Sequence, residues 1–151
     1  MEWRVFFRRL AEGVFDEEDL IFRTKQLNDF LDDASLKHRF NRNNVIAIGY
    51  SNGANIAASV LFHFTQALKG AILHHPMVPR RGIELPSLSH VPIFISAGHN
   101  DPICPPEESK ELHAILEGAG ASVYTHWENN GHSLTQTEIE AAKKWYRKHF
   151  S

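Results

Sequence analysis

Four short apolar segments alternate with helical patterns along this chain, and this alternation constrains its fold more than any other feature. The apolar segments are typical of strands and lie at 45–50, 70–76, 91–98 and 122–128. Helical patterns lie over 17–38, from Asn52 to about Leu68, and after Pro105. A last one follows Thr135, which is predicted to form a capping box with Glu138. Strands that alternate with helices, without tight hairpin signals, form parallel sheets covered by helices. The sequence therefore predicts an α/β fold with a mostly parallel sheet.

Length and composition narrow the possible classes of protein. The 151 residues are typical of one domain, so we treat 1–151 as a single domain. The net charge is −2, so the chain lacks the excess of Lys and Arg that is typical of nucleic-acid-binding proteins, and we do not expect a nucleic-acid partner. No apolar run is long enough for a membrane span, and the start of the chain lacks a signal-peptide core. One cysteine, Cys104, excludes an internal disulfide and favours a cytoplasmic location.

Three polar residues follow three of the predicted strands. Ser51 follows the first strand inside the pattern G-x-S-x-G formed by Gly49 to Gly53, Asp101 follows the third, and His132 follows the fourth. In an open parallel sheet, ligands bind beyond the carboxyl ends of the strands. The chain order Ser, Asp, His is also that of α/β-hydrolases. We therefore expect these three side chains to meet at one rim of the sheet.

Such a cluster has the parts that acyl transfer requires. Serine needs an imidazole to take its proton, and the imidazole needs a carboxylate to hold its tautomer. Gly49 and Gly53 would remove side chains where strand and helix crowd, which forms a nucleophile elbow. The backbone N–H of Asn52, at the start of the next helix, could donate to a developing oxyanion.

Each residue taken alone also has a structural interpretation. G-x-S-x-G occurs by chance and in ordinary strand–helix turns, Asp101 precedes a proline and could start a turn, and His132 could be a loop residue. The joint placement and order favour the catalytic interpretation.

The other histidines and the cysteine are weaker candidates. His74 and His75 are adjacent on a predicted strand, so they would point to opposite faces, and we expect them to form a polar wall near the rim. No H-x-x-x-H helix pair or cysteine cluster occurs, so we predict no metal site. Cys104 is expected to be a small buried residue.

Several stretches together resemble the phospholipase/carboxylesterase family of α/β-hydrolases, in particular small bacterial carboxylesterases related to acyl-protein thioesterases. They are VIAIGYSNGANIA, GAILHHPMVP, AGHNDPICP and HWENNGHSLT, and the similarity runs from Phe6 to the C-terminal end. The resemblance implies an α/β-hydrolase core and hydrolysis of carboxylic esters of short to medium acyl chain, without a cofactor.

The same resemblance implies roles for individual residues. Ser51 would be the nucleophile, Asp101 the acid of the triad and His132 the base, and Asn52 would supply one oxyanion N–H. Met77 and Ile103 match positions that would line an acyl pocket.

Family members carry a further segment ahead of the matched region, with the first strands of the sheet and a His-Gly loop that donates the second oxyanion N–H. No His-Gly pair followed by small residues precedes Ser51 here. The resemblance therefore describes an N-terminally truncated hydrolase domain. The strand at 45–50 would have one unpaired edge, and such edges associate with other strands. We expect a homodimer that covers this edge, or a fold-back of residues 1–7.

Three functions stay open on the sequence. The first is a serine carboxylesterase acting on small-molecule esters. The second is a catalytically weak or silent hydrolase scaffold that serves as a dimerisation or interaction module. The third is an acyl-protein thioesterase-like activity at the same site.

Overall fold

The computed structural model describes residues 9–11 and 14–150. Its strands are β1 (Arg9–Ala11), β2 (Val14–Phe15), β3 (Ile46–Tyr50), β4 (Gly70–His74), β5 (Pro92–Gly98) and β6 (Ser122–Glu128). Its helices are α1 (Glu17–His38), α2 (Asn52–His63), α3 (Pro106–Gly118) and α4 (Gln136–Phe150). The predicted alternation of four strands with helices is confirmed.

The main sheet has the order β3-β4-β5-β6, and all three pairings are parallel. A second, two-stranded sheet pairs β1 with β2 antiparallel. That hairpin was not predicted, because strands of two or three residues are too short to show an alternating pattern. The expected fold-back of residues 1–7 lies outside the described residues.

Both faces of the central strands are buried, as the apolar runs predict. Ala71, Leu73, Ile93 and Ile95 join a core with apolar residues of α2 and α3. Their neighbours Ile72 and Phe94 point to the other face and pack against Ala142 and Trp145 of α4. The alternation of side chains along a strand thus places α2 and α3 on one face and α4 on the other.

Several large apolar side chains of β3 and α4 are exposed. Ile48 is 68% exposed, and Ile139 and Tyr146 are 42% and 39% exposed. These three side chains, with Tyr50 and Leu134, line an open apolar groove of about 590 Å³ between β3 and α4. We call it the β3–α4 groove. Periodicity identified the residues that share a face, but within the described residues nothing covers that face beside the edge strand.

Two elements end earlier than predicted. Helix α2 stops at His63, because Phe64 is extended and Gln66 has a φ of 53°. Strand β4 stops at His74, because His75 has a φ of 54° and leaves the strand direction. The second difference places His75 in the candidate site. Among the described helices, none combines the length and apolarity needed to cross a membrane.

The contact between β3 and α2 depends on a glycine. A Cβ at Gly49 would lie against the backbone of Gly53 and 2.6 Å from the Ala54 nitrogen. Strand and helix can approach this closely only because residue 49 has no side chain.

We therefore expect Gly49→Ala to lower the free energy of unfolding by about 1–3 kcal/mol, the usual cost of overpacking. Gly118→Ala is the control, because a Cβ there would meet nothing within 4 Å. Urea denaturation of both variants measures the effect, and equal stabilities would contradict the close approach.

Candidate active site

Ser51 occupies the turn between β3 and α2. Its backbone has φ 55° and ψ −110°, a conformation that a residue with a side chain seldom adopts. Its N–H donates to the His74 carbonyl at 2.9 Å, and its carbonyl accepts from the Asn55 N–H at 3.0 Å. The turn is thus tied to the sheet on one side and to the helix on the other. Strained backbone of this kind is concentrated at functional sites.

The structure brings Ser51, Asp101 and His132 together. His132 Nε2 lies 2.9 Å from Ser51 Oγ, and His132 Nδ1 lies 2.7 Å from Asp101 Oδ2. Asp101 is buried, whereas Ser51 and His132 are half-buried. A serine, an imidazole and a carboxylate in this order can transfer a proton from the hydroxyl to the ring.

The Asp101 carboxylate accepts four hydrogen bonds. The N–H groups of Ile103 and Cys104 donate to Oδ1 at 2.8 and 2.9 Å, and His132 and His75 donate from Nδ1 to Oδ2. Burial alone would raise the pKa of Asp101. The hydrogen bonds, led by that from Cys104, outweigh burial and hold the pKa of Asp101 below its ordinary value. Asp101 is therefore ionised at neutral pH.

The loops that carry Asp101 and His132 are joined. Asn100 accepts from the Gly131 N–H at 2.9 Å and donates to the Asn129 carbonyl at 3.2 Å. Gly98 allows the two loops to approach each other, since a Cβ at this position would clash with the Gly131 carbonyl oxygen. The spacing between Asp101 and His132 thus depends on contacts between the two loops as well as on the sheet.

Tyr50 holds His132 from a third element. Its hydroxyl donates to the His132 carbonyl oxygen, and the two ring centroids lie 5.4 Å apart. Burial, followed by the nearby charge of Asp101, raises the pKa of Tyr50 and keeps the hydroxyl protonated as a donor. Sequence reasoning missed Tyr50, because its partner is a backbone carbonyl, which no pattern of residue types indicates.

His75 and Glu138 also belong to the cluster. His75 Nδ1 lies 2.9 Å from Asp101 Oδ2, and His75 Nε2 lies 2.6 Å from Glu138 Oε1. His75 is 1% exposed and Glu138 0%. His74 and His75 lie at the rim end of β4, where they were expected, but both are buried rather than open to solvent. The left-handed backbone of His75 turns its ring into the site.

The remaining histidine of the pair has a separate partner. His74 Nδ1 lies 2.6 Å from Ser96 Oγ, and its ring packs edge-on against Phe94. Burial lowers the pKa of His74, so it is neutral at neutral pH.

Comparison with known proteins identifies the family. Residues 11–149 match the model of the dienelactone hydrolase family. The chain belongs to this family. The putative hydrolase MhqD of Bacillus subtilis (strain 168) is 61% identical over 142 residues, which are 94% of this chain and 71% of MhqD.

Solved structures agree with this assignment. A Bacillus cereus carboxylesterase is 66% identical with a TM-score of 0.95, over 97% of this chain and 69% of that protein. The structure of YahD with malic acid is 31% identical with a TM-score of 0.89, over 95% of this chain and 72% of YahD. The predicted α/β-hydrolase fold and the resemblance to carboxylesterases are confirmed, and the chain is a hydrolase of the esterase type.

The other predicted site residues lie close to Ser51 or Asp101. Asn52 is the first residue of α2, directly after Ser51. Met77 is buried, and its N–H donates to Asn55 Oδ1 at 2.7 Å. Ile103 is half-buried beside Asp101. Their roles in binding substrate stay predictions.

The cluster also has the composition of a metal site. Ligand atoms of His75, Asp101 and His132 lie within 4.8 Å of one another. The ring nitrogens of both histidines, however, face hydrogen-bond partners in Ser51, Asp101 and Glu138. These partners occupy both ring nitrogens of each histidine.

The low pKa of Asp101 links stability to pH. Ionised Asp101 stabilises the fold above the pKa of the unfolded chain, and this stabilisation is lost as the pH falls through the lower native pKa. The stability of the unmodified protein should therefore decrease in acid more steeply than that of Asp101→Asn, which cannot ionise. Urea denaturation from neutral to acidic pH measures both, and parallel curves would show that Asp101 has no such linkage.

Proposed function

We propose that this chain is a serine carboxylesterase in which Ser51 is the nucleophile, His132 the general base and Asp101 the carboxylate that orients His132. The observation that carries the proposal is the continuous path from Ser51 Oγ through His132 to Asp101, with heavy-atom distances of 2.9 and 2.7 Å. Distances of this size are those across which a positioned base can act. The carboxylesterase relative supports the class of reaction.

The reaction would proceed in two half-steps. Ser51 Oγ attacks the ester carbonyl while its proton passes to His132 Nε2, and the proton is then delivered to the departing alcohol. The acyl group stays on Ser51 as an ester. Water then attacks that ester after losing a proton to His132, which returns the proton to Ser51 as the acid leaves. Asp101 stabilises the His132 imidazolium during each half-step.

The developing oxyanion requires hydrogen-bond donors. We propose the backbone N–H of Asn52 as one of them, because Asn52 directly follows Ser51 at the N-terminal end of α2. That end carries the positive pole of the helix, which favours negative charge. Met77 and Ile103 are proposed to contact a short to medium acyl chain. Rates with a thioester and an oxygen ester of the same acyl group would separate a thioesterase from an esterase.

Replacement of Ser51 tests the proposal. Ser51→Ala should lower the hydrolysis of p-nitrophenyl acetate by about 10⁴-fold or more, because it removes the oxygen that is proposed to carry the acyl group. Ser87→Ala, an exposed serine outside the cluster, should retain the activity.

A fluorophosphonate probe provides a second measurement. We expect covalent labelling of Ser51 in the unmodified protein and none in Ser51→Ala. Full activity in Ser51→Ala would exclude the proposed mechanism. A folded protein that the probe does not label would support the second candidate, a catalytically silent module.

The exposed apolar surface favours a role for self-association. Within the part of the chain that the structure describes, β3 is an edge strand of the main sheet, and its Ile48 is 68% exposed. An unpaired apolar edge strand readily pairs with another chain. We propose that a second copy of the chain covers the β3 edge and the β3–α4 groove.

Light scattering after size-exclusion chromatography should therefore give the mass of two chains at micromolar concentration. Ile48→Lys should shift the mass to that of one chain, because it places a charge in the proposed contact. Leu36→Lys is the control, since Leu36 is 81% exposed on α1. A monomeric unmodified protein would contradict the dimer.

A further inference from the structure

The Asp101 carboxylate has a second imidazole partner that the esterase mechanism above does not use. His132 and His75 both present Nδ1 to Asp101 Oδ2, at 2.7 and 2.9 Å. Their ring centroids lie 5.3 Å apart. Because Oδ2 is shared, a hydrogen bond from His75 withdraws negative charge from the atom that faces His132.

His75 reaches this position because of the sheet register. Tyr50 pairs with His74, so the next residues, Ser51 and His75, leave neighbouring strands side by side. Both have positive φ, 55° for Ser51 and 54° for His75. The His75 N–H donates to the Ser96 carbonyl at 2.8 Å, which holds its backbone in place.

Glu138 determines which nitrogen of His75 can donate. Its Oε1 lies 2.6 Å from His75 Nε2, and its Oε2 accepts from the Thr135 N–H at 2.7 Å. An unprotonated Nε2 would face a carboxylate oxygen without a proton between them, which is unfavourable in a buried site. A proton therefore lies between Nε2 and Glu138, and a second proton on Nδ1 faces Asp101. Together, His75, Asp101 and Glu138 then hold one proton more than a neutral imidazole beside two carboxylates would hold.

We propose that His75, held by Glu138, is a positioning residue that donates to Asp101 and thereby lowers the pH at which His132 becomes a free base. The inference rests on the proposed roles of Ser51, His132 and Asp101. Without the donation from His75, Oδ2 would present its full charge to His132 and would stabilise the His132 imidazolium. At a given pH, less His132 would then be available to take the Ser51 proton.

Several titratable groups surround His75 and His132. The effect is assigned to His75 because, among the described side chains, it is the one that shares Asp101 Oδ2 with His132. The titratable groups that face His132 or His75 come from the ends of β3, β4 and β5 and from the start of α4: Tyr50, His74, Asp101 and Glu138. None of these is altered by a substitution at residue 75.

Two substitutions at residue 75 isolate the hydrogen bond. His75→Ala removes the donor, whereas His75→Asn retains an N–H₂ group near the position of Nδ1 and tolerates positive φ. Both variants remove the imidazole ring that contacts Glu138. A difference in activity between them therefore reports on the hydrogen bond to Asp101. His90→Ala and His90→Asn are the controls, because His90 is exposed and has a similar φ of 64°.

The pH profile of kcat/KM with p-nitrophenyl acetate is the first measurement. In His75→Ala the acidic limb should move up by about one pH unit, and kcat/KM on that limb should fall ~10-fold. His75→Asn should restore the limb toward its native position. Superimposable limbs in the unmodified protein and His75→Ala would overturn the inference.

Nitrogen NMR of the histidine rings tests the same inference without turnover or substitution at residue 75. At neutral pH, His75 Nδ1 should carry a proton in the unmodified protein. In Glu138→Gln, which retains the side-chain length needed for the helix cap, Nε2 should lose its proton while Nδ1 keeps it. An unprotonated His75 Nδ1 in the unmodified protein would overturn the inference. Because this measurement does not depend on Ser51, its result is separate from that of the esterase assay.

Discussion

The parallel register of the main sheet is the constraint on which the candidate site depends. In this register Tyr50 lies beside His74, His74 beside Ser96, and Ser96 beside His126. All four strands therefore end at one rim, and the chain turns there into Ser51, Asp101 and His132. A slip of one residue in any pairing would turn the side chains of that strand to the opposite face. The chain of hydrogen bonds from Ser51 through His132 to Asp101 would then be broken.

Helix α4 connects the site to the packing of the opposite face. Glu138 Oε2 accepts hydrogen bonds from the N–H and the hydroxyl of Thr135, just before the helix starts, and Oε1 lies against His75. Further along the same helix, Trp145 packs against Phe94 of β5, with ring centroids 5.7 Å apart. The position of His75 thus depends on how α4 lies on the sheet. The geometry of the candidate site and the packing of the core therefore share this helix.

Local sequence patterns predicted the positions of helices and strands better than they predicted which side chains are buried. The bounds of α1 and β6 agree with the structure, because each is a long run of one periodicity. The predicted capping box of Thr135 and Glu138 is present, since it is encoded within four residues. The exposure of Ile139 and Tyr146 could not be predicted. Periodicity shows that they share a face of α4 but not whether another element covers that face beside β3.

The sequence by itself determined the α/β fold and the order of Ser51, Asp101 and His132 after their strands. It could do so because strand periodicity and strand ends are local properties, and a parallel sheet brings those ends together. Only the tertiary structure decided that Tyr50, His75 and Glu138 complete the cluster. Glu138 meets His75 across 63 residues of chain, and Tyr50 meets His132 across 82. Such contacts depend on loop conformations and helix packing, which no short pattern in the sequence encodes.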